Sequence, residues 1–324
     1  MTSRNLPWDD IKIPESDYNV RLIPHAGTIP AYWGRDTSGN CLFLIALDGD
    51  HEKLFIEGST AVHGIEVDLQ ADPVTGKQNL VLTLERQIDG DLFCSLCESL
   101  VESLRPVDRS DAALNVALTH IKRWKAFLAG RNARLLSAEE VRGLFAELTV
   151  LRRLYDKRLS PPEAVAAWTG ADRVQQDFVF SGCAVEVKSI SGTDRNTVRI
   201  SSEDQLDTVQ DQLFLLTLKL RDAHDADGAR SLNDLVGLLE GEIVDPDAAD
   251  ELSRKLAAYG YAPLSEYDKP RFIVAATEAY MVREGFPRLI RSQLPVGVTG
   301  VRYQIELEHM APFRCTLEEV LGSI

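Results

Sequence analysis

Basic charge is what this chain is short of: 35 Lys and Arg stand against 50 Asp and Glu, a net charge of −15 at neutral pH. Such a total field repels polyphosphates, so any nucleic-acid contact must rest on local clusters of cations. Long apolar runs are also missing. No eighteen consecutive apolar residues occur, and no membrane partner is expected. Residues Met1 to Asp10 lack the apolar centre of a signal peptide, so the expected compartment is the cytoplasm. Cysteine is sparse and odd in number. Cys41, Cys94, Cys97, Cys183 and Cys315 are scattered, which argues for reduced thiols over a disulfide framework. Cys94 and Cys97 form a C-x-x-C with no second pair and no histidines at zinc-finger spacing, so they read as core positions of an amphipathic helix. The six histidines show no H-E-x-x-H pattern, and there is no Walker loop, dinucleotide-binding glycine motif or G-x-S-x-G elbow. Zinc protease, ATPase, dehydrogenase and serine hydrolase chemistry are thereby disfavoured. Internal repeats and low-complexity tracts are absent as well.

What is there centres on Gln175 to Ser189. Phe178-Val179-Phe180 and Ala184-Val185-Glu186-Val187-Lys188 read as strands, and Ser181-Gly182 between them is a turn signal. Side chains alternate along a strand, so Glu186 and Lys188 share one face while Val185 and Val187 take the other. A hairpin brings Asp177 to the same spot. Two carboxylates and an amine on an apolar sheet suit metal-assisted hydrolysis of a phosphodiester: Mg²⁺ needs only one or two protein carboxylates, and a lysine orients water or stabilises developing charge.

The arrangement resembles the PD-(D/E)XK nuclease superfamily, with Asp177 as the first acid and Glu186-Val187-Lys188 as the E-x-K element. Gln176 stands where the name-giving proline would be. More narrowly, the layout resembles a PD-(D/E)XK group found in bacterial restriction and phage-defence gene clusters. Motif support covers about residues 137–220. The resemblance implies an α+β fold with an αβββαβ core, Mg²⁺ (or Mn²⁺) held by Asp177 and Glu186, and Lys188 assisting the attacking water. Glu147, close to the buried edge of the preceding helix, reads either as a third acid of the site or as a helix-flank residue. Gln205 reads as a water or phosphate contact or as a solvated turn residue. Ser189 opens a polar stretch around Gly192 suited to lie beside a substrate backbone, and Arg199 is a candidate phosphate contact.

The remaining pattern gives a loose polar arm to about residue 17, then an antiparallel β-rich module. Helices follow at Asp89–Arg105, Ser110–Leu128 (stopped by Gly130) and Ser137–Asp156, the last opened by a capping box with Glu140. Thr197–Ile200 is expected as the third core strand, Ser201 or Ser202 as the cap of a helix carrying Gln205, and Leu213–Leu218 as an apolar strand. Two helices and further strands lie beyond Leu220. Two domains are expected, 1–110 for recognition or partner binding and 111–324 carrying the nuclease-like core with a C-terminal extension. From His120 to Ser160 ten bases stand against four acids, and Arg283, Arg288, Arg291 and Arg302 form a second basic group. These stretches line a DNA cleft or are solvated faces. The expected function is a Mg²⁺-dependent DNA endonuclease of a restriction or phage-defence system. It would act as a homodimer, with an ATPase or methyltransferase as a further partner. The alternative is a non-catalytic DNA-binding or scaffold subunit of the same fold.

Overall fold

The computed structural model describes residues 6–24, 26–72, 76–85, 89–129, 134–172, 174–191, 196–224 and 226–324. The chain divides after Leu135 into two compact units, with Gly260–Glu266 returning to the first. Among the described residues no helix is long and apolar enough to cross a membrane.

The first unit is built on a five-stranded antiparallel sheet, β1 (Tyr18–Leu22), β2 (Ala31–Asp36), β3 (Cys41–Leu47), β4 (Ile65–Ala71) and β5 (Gln78–Leu84), in the order β1-β2-β3-β5-β4. The continuous apolar run of β3 is buried, whereas β4 alternates, with Glu66, Asp68 and Gln70 exposed. Helices α1 (Glu52–Gly58), α2 (Gly90–Leu104) and α3 (Ser110–Ala129) complete the unit. Cys94 and Cys97 are fully buried in the α2 core. Helix α3 packs against α1, α2 and β3, so it belongs with this unit and not with the second domain expected from residue 111. The expected loose arm is also corrected. Trp8 is fully buried, its indole donates to the Leu42 carbonyl at 2.7 Å, and its ring stacks on Phe93 with centroids 5.4 Å apart. Burying one indole contributes about 4–6 kcal/mol, enough to tether a short polar segment.

The second unit opens with α4 (Ala138–Lys157), whose Ser137–Glu140 capping box forms as expected, followed by α5 (Pro161–Ala167). Then come β6 (Phe178–Val179), β7 (Cys183–Ser191), β8 (Thr197–Ile200) and β9 (Gln212–Asp222). Helices α6 (Leu232–Glu242) and α7 (Pro246–Tyr259) lead to β10 (Phe272–Met281), β11 (Tyr303–Glu306), α8 (Leu307–Met310), β12 (Arg314–Cys315) and α9 (Leu317–Gly322). The main sheet runs β12-β10-β9-β7-β6; β7 and β9 are parallel and the other neighbours antiparallel. Helix α4 packs on β7. On the opposite face Ala184, Ile190, Leu213 and Leu215 join Val198, Ile200 and Ile305 in one buried cluster.

Two expectations fail here. Strand β8 does not join the sheet: it pairs with β11, about a hundred residues on, as a separate antiparallel ribbon. No helix opens after Ser201 either, and residues 203–206 form turns. The buried Gln176 amide collects the carbonyls of Asp204, Gln205 and Asp207 at 2.7–3.4 Å, acceptors that a helical ladder would need for itself. The expected helix stop at Gly130 and the stretch around Gly192 lie outside the described residues.

Candidate active site

Four of the expected residues converge. Alternation along β7 puts Glu186 and Lys188 on the face that carries Ala184 and Ile190. The Glu186 side chain is 1 % exposed and Lys188 16 %, with Nζ 2.7 Å from Glu186 Oε1. Among the described residues Glu186 Oε2 has no hydrogen-bond partner, so Lys188 is what balances this carboxylate. A buried carboxylate in that condition is costly unless it is protonated or meets a cation. Asp177 enters from the start of the hairpin. Its Oδ2 accepts from the Val187 backbone N–H at 2.7 Å, and its carbonyl accepts from the N–H groups of Thr169 and Gly170 at 2.8 and 3.0 Å.

Glu147 projects from α4 and is buried, 6 % exposed, as the capped amphipathic helix dictates for a position between Leu144 and Leu148. Trp168, the residue after α5, donates from its indole to Glu147 Oε2 at 2.8 Å, and the Tyr259 hydroxyl donates to Oε1 at 3.2 Å. Glu147 and Asp177 crowd Gly170. A Cβ placed there would stand 2.4 Å from Glu147 Oε2 and 3.0 Å from Asp177 Oδ1. The three acids are not collapsed onto a point, since among the described residues Glu147, Asp177 and Glu186 do not bring one oxygen each within 4.8 Å of one another.

The electrostatics follow from burial and mutual repulsion. Burial and then Asp177 push the Glu186 carboxyl up to about 8. Burial, followed by the charges of Asp177 and Glu186, sends Glu147 well above its ordinary range. Asp177 is raised by burial, with Lys188 and the Val187 N–H opposing. Burial pulls Lys188 down, but Glu186, Asp177 and Glu147 outweigh it and hold the ammonium above the usual lysine value.

The other expected site residues stand apart. Gln205 Oε1 accepts from the Ser201 backbone N–H at 2.8 Å, fastening the bend after β8. Arg199 is exposed and pairs with Glu139 at 3.1 Å. Ser189 is half-buried and, one residue after Lys188, falls on the opposite face of β7. Arg152, from the basic stretch, is committed to Glu242 through two bonds of 2.8 and 2.7 Å. Three participants escaped sequence reading, Gly170, Tyr259 and Lys255, as did the anchoring role of Gln176. Lys255, one turn before Tyr259 on α7, is 2 % exposed and donates to the carbonyls of Val165, Ala166 and Trp168. It thereby fixes the end of α5, from which Trp168 reaches Glu147. No local signal marks it, because a lysine on an amphipathic helix normally reads as solvated.

Residues 5–308 match the family model described as "Putative PD-(D/E)XK family member" (DUF4420). The chain belongs to this family. The match takes in every residue of the acid cluster just described, and enzymes of the PD-(D/E)XK type typically use divalent metals. No match was found among curated proteins or solved structures. The donor set fits a hard divalent ion: oxygen ligands only, with Glu186 Oε2 buried and without a hydrogen-bond partner among the described residues.

Proposed function

We propose that the chain is a divalent-metal-dependent phosphodiesterase, specifically a Mg²⁺-dependent DNA endonuclease. The observation that carries this reading is the buried Glu186 carboxylate, paired with Lys188 at 2.7 Å and beside Asp177 on a PD-(D/E)XK-family chain. Glu186 and Asp177 would hold Mg²⁺, or Mn²⁺ in its place. The metal, when bound, supplies an acidified water and neutralises charge on the phosphate oxygens. Lys188, kept protonated by the three acids, orients the nucleophile and balances negative charge as the phosphorus becomes five-coordinate. Glu147, fixed by hydrogen bonds from Trp168 and Tyr259, positions the cluster beside Asp177. We place the protein in a restriction or phage-defence setting on its sequence resemblance, acting as a homodimer so that two sites address two strands. An ATPase or methyltransferase from the same gene cluster would be its further partner. The net charge of −15 favours a second reading, a non-catalytic DNA-binding or scaffold subunit.

The test is cleavage of supercoiled plasmid and phage DNA with Mg²⁺ or Mn²⁺, by the parent chain and by Asp177→Ala and Lys188→Ala. We expect cutting by the parent and a loss of at least about 10²-fold in both variants, with all three equally folded. Linear product would support the dimer and nicked circles a single working site. Cutting that survives both substitutions would move the chemistry elsewhere. No cutting by any of them, alone or with proteins encoded nearby, would favour the scaffold.

A further inference from the structure

The ribbon formed by β8 and β11 has two unlike faces. Val198, Ile200 and Ile305 point into the buried cluster that also lines the Glu186 face of the main sheet. Outward stand Arg199 on β8 and, alternating along β11, Gln304 and Glu306, all exposed. The register sets Gln304 directly across from Arg199, and Arg302, the residue before β11, is exposed as well. Arg302 has no ion-pair or hydrogen-bond partner among the described residues. Arg199 has only an exposed pair with Glu139, its own side chain 58 % exposed, and such a pair exchanges readily for a phosphate.

Two observations tie this surface to the acid site, and a third describes its shape. Arg199 reaches Glu139 in the first turn of α4, which places it about 12 Å along the helix axis from Glu147. Tyr303, on β11, lies close enough to Lys188 for that ammonium to favour ionisation of its hydroxyl, although burial dominates and raises it. An open cavity of about 430 Å³ runs along β11, lined by Arg288, Leu289, Tyr303, Gln304 and His309 among others. The loop feeding β11 is the most basic part of this region: residues 283–302 carry four arginines and one glutamate in a chain that is otherwise acidic. That loop is anchored firmly. Arg291 makes two bonds to Asp204, Arg288 donates to the Leu206 carbonyl, and the buried Glu203 accepts from the N–H groups of Gly300 and Val301 at 3.1 and 2.8 Å.

We propose that the outer face of the β8–β11 ribbon is a duplex-DNA-binding surface, with Arg199 and Arg302 on backbone phosphates and Gln304 between them on base edges. A two-stranded ribbon has the right width for a major groove, and glutamine flanked by arginines is a side-chain set suited to reading it. The charge of residues 283–302 complements a polyanion, which the chain's total charge does not. The choice of DNA rests on the phosphodiesterase reading; the placement of the surface rests on the ribbon itself.

The experiment is fluorescence anisotropy with a short labelled duplex, Ca²⁺ replacing Mg²⁺, over a series of salt concentrations. The chains compared are the parent, Arg199→Ala, Arg302→Ala, Gln304→Glu and, off the ribbon on β9, Arg221→Ala. We expect Arg199→Ala and Arg302→Ala each to weaken binding and to lower the slope of log K against log salt by about 1. Gln304→Glu should weaken binding at least tenfold, and Arg221→Ala should leave affinity and slope unchanged. Binding and slopes unaltered by all three ribbon variants would overturn the inference, as would a parent chain that binds no duplex at low salt. Cleavage with Mg²⁺ is scored separately. Ribbon variants that lose binding while no chain cleaves would uphold the surface and defeat the nuclease reading. Normal cleavage and binding by the ribbon variants would do the reverse.

Discussion

Gly170 sets how closely Glu147 and Asp177 approach the backbone, because the position a side chain would take is already filled by their oxygens. Glu147 cannot swing aside cheaply, since Trp168 and Tyr259 both hold it. Gly170→Ala is therefore expected to destabilise the protein by about 1–3 kcal/mol and to lower its affinity for divalent ions. Thermal denaturation and calorimetric titration with Ca²⁺ check the two effects; unchanged values for both would contradict the packing described. Glu186 makes a pH prediction. Its folded-state value of about 8 lies above that of an ordinary glutamate, so its contribution to stability is full below about pH 4.5. That contribution is lost as pH rises through about 8, because the folded protein must then bury a negative charge. Metal-free Glu186→Gln should accordingly gain in melting temperature relative to the parent as pH is raised from 5 to 8.5. Ion binding needs the ionised carboxylate, so the parent should release protons on taking up Ca²⁺ at pH 7. Equal calorimetric heats in buffers of different ionisation enthalpy would rule that out.

Helix α7 holds the acid site from outside the region where the motif lies. Its Lys255 and Tyr259, one turn apart, reach Trp168 and Glu147 across sequence separations of 87 and 112 residues. Burial holds the Lys255 ammonium below the usual lysine range, yet the carbonyls it serves would otherwise be left unsatisfied. Lys255→Met should destabilise the fold by about 3 kcal/mol, and Tyr259→Phe by about 1 kcal/mol, measured by denaturant unfolding. A Lys255→Met protein as stable as the parent would show that α5 needs no such clasp. Sequence legibility divides along the same line. The hairpin of Asp177, Glu186 and Lys188 was readable because a period of two, a turn signal and an E-x-K triplet fall within fifteen residues. The capping box at Ser137 and the alternation of β4 were readable for the same local reason. The partnership of β8 with β11 was not, because strands of four residues carry no mark of which distant edge they join. The buried arm at Trp8 was missed because one indole outweighs a run of polar neighbours, and the clasp from α7 because a buried lysine looks like a solvated one.

At the scale of the whole molecule, a chain of net charge −15 commits several of its cations to internal ties: Lys188 within the acid cluster, Lys255 under α5, Arg152 from α4 to Glu242 at the end of α6, and Arg291 at the base of a loop. Beside its sheet, the second unit is tied together by the turn at residues 203–207, to which the loop before β11 and the hairpin of Asp177 are both fastened. On the hairpin side the fastening is one side chain, Gln176, in the position where the superfamily's name has proline. Gln176→Pro, which would bring in the residue of the superfamily's name, would strip three carbonyls of their donor and release the turn, so it is expected to lower stability by about 2 kcal/mol or more, read as a fall in melting temperature. At this position a match to the motif's name would come at the expense of the tie that holds the hairpin in place.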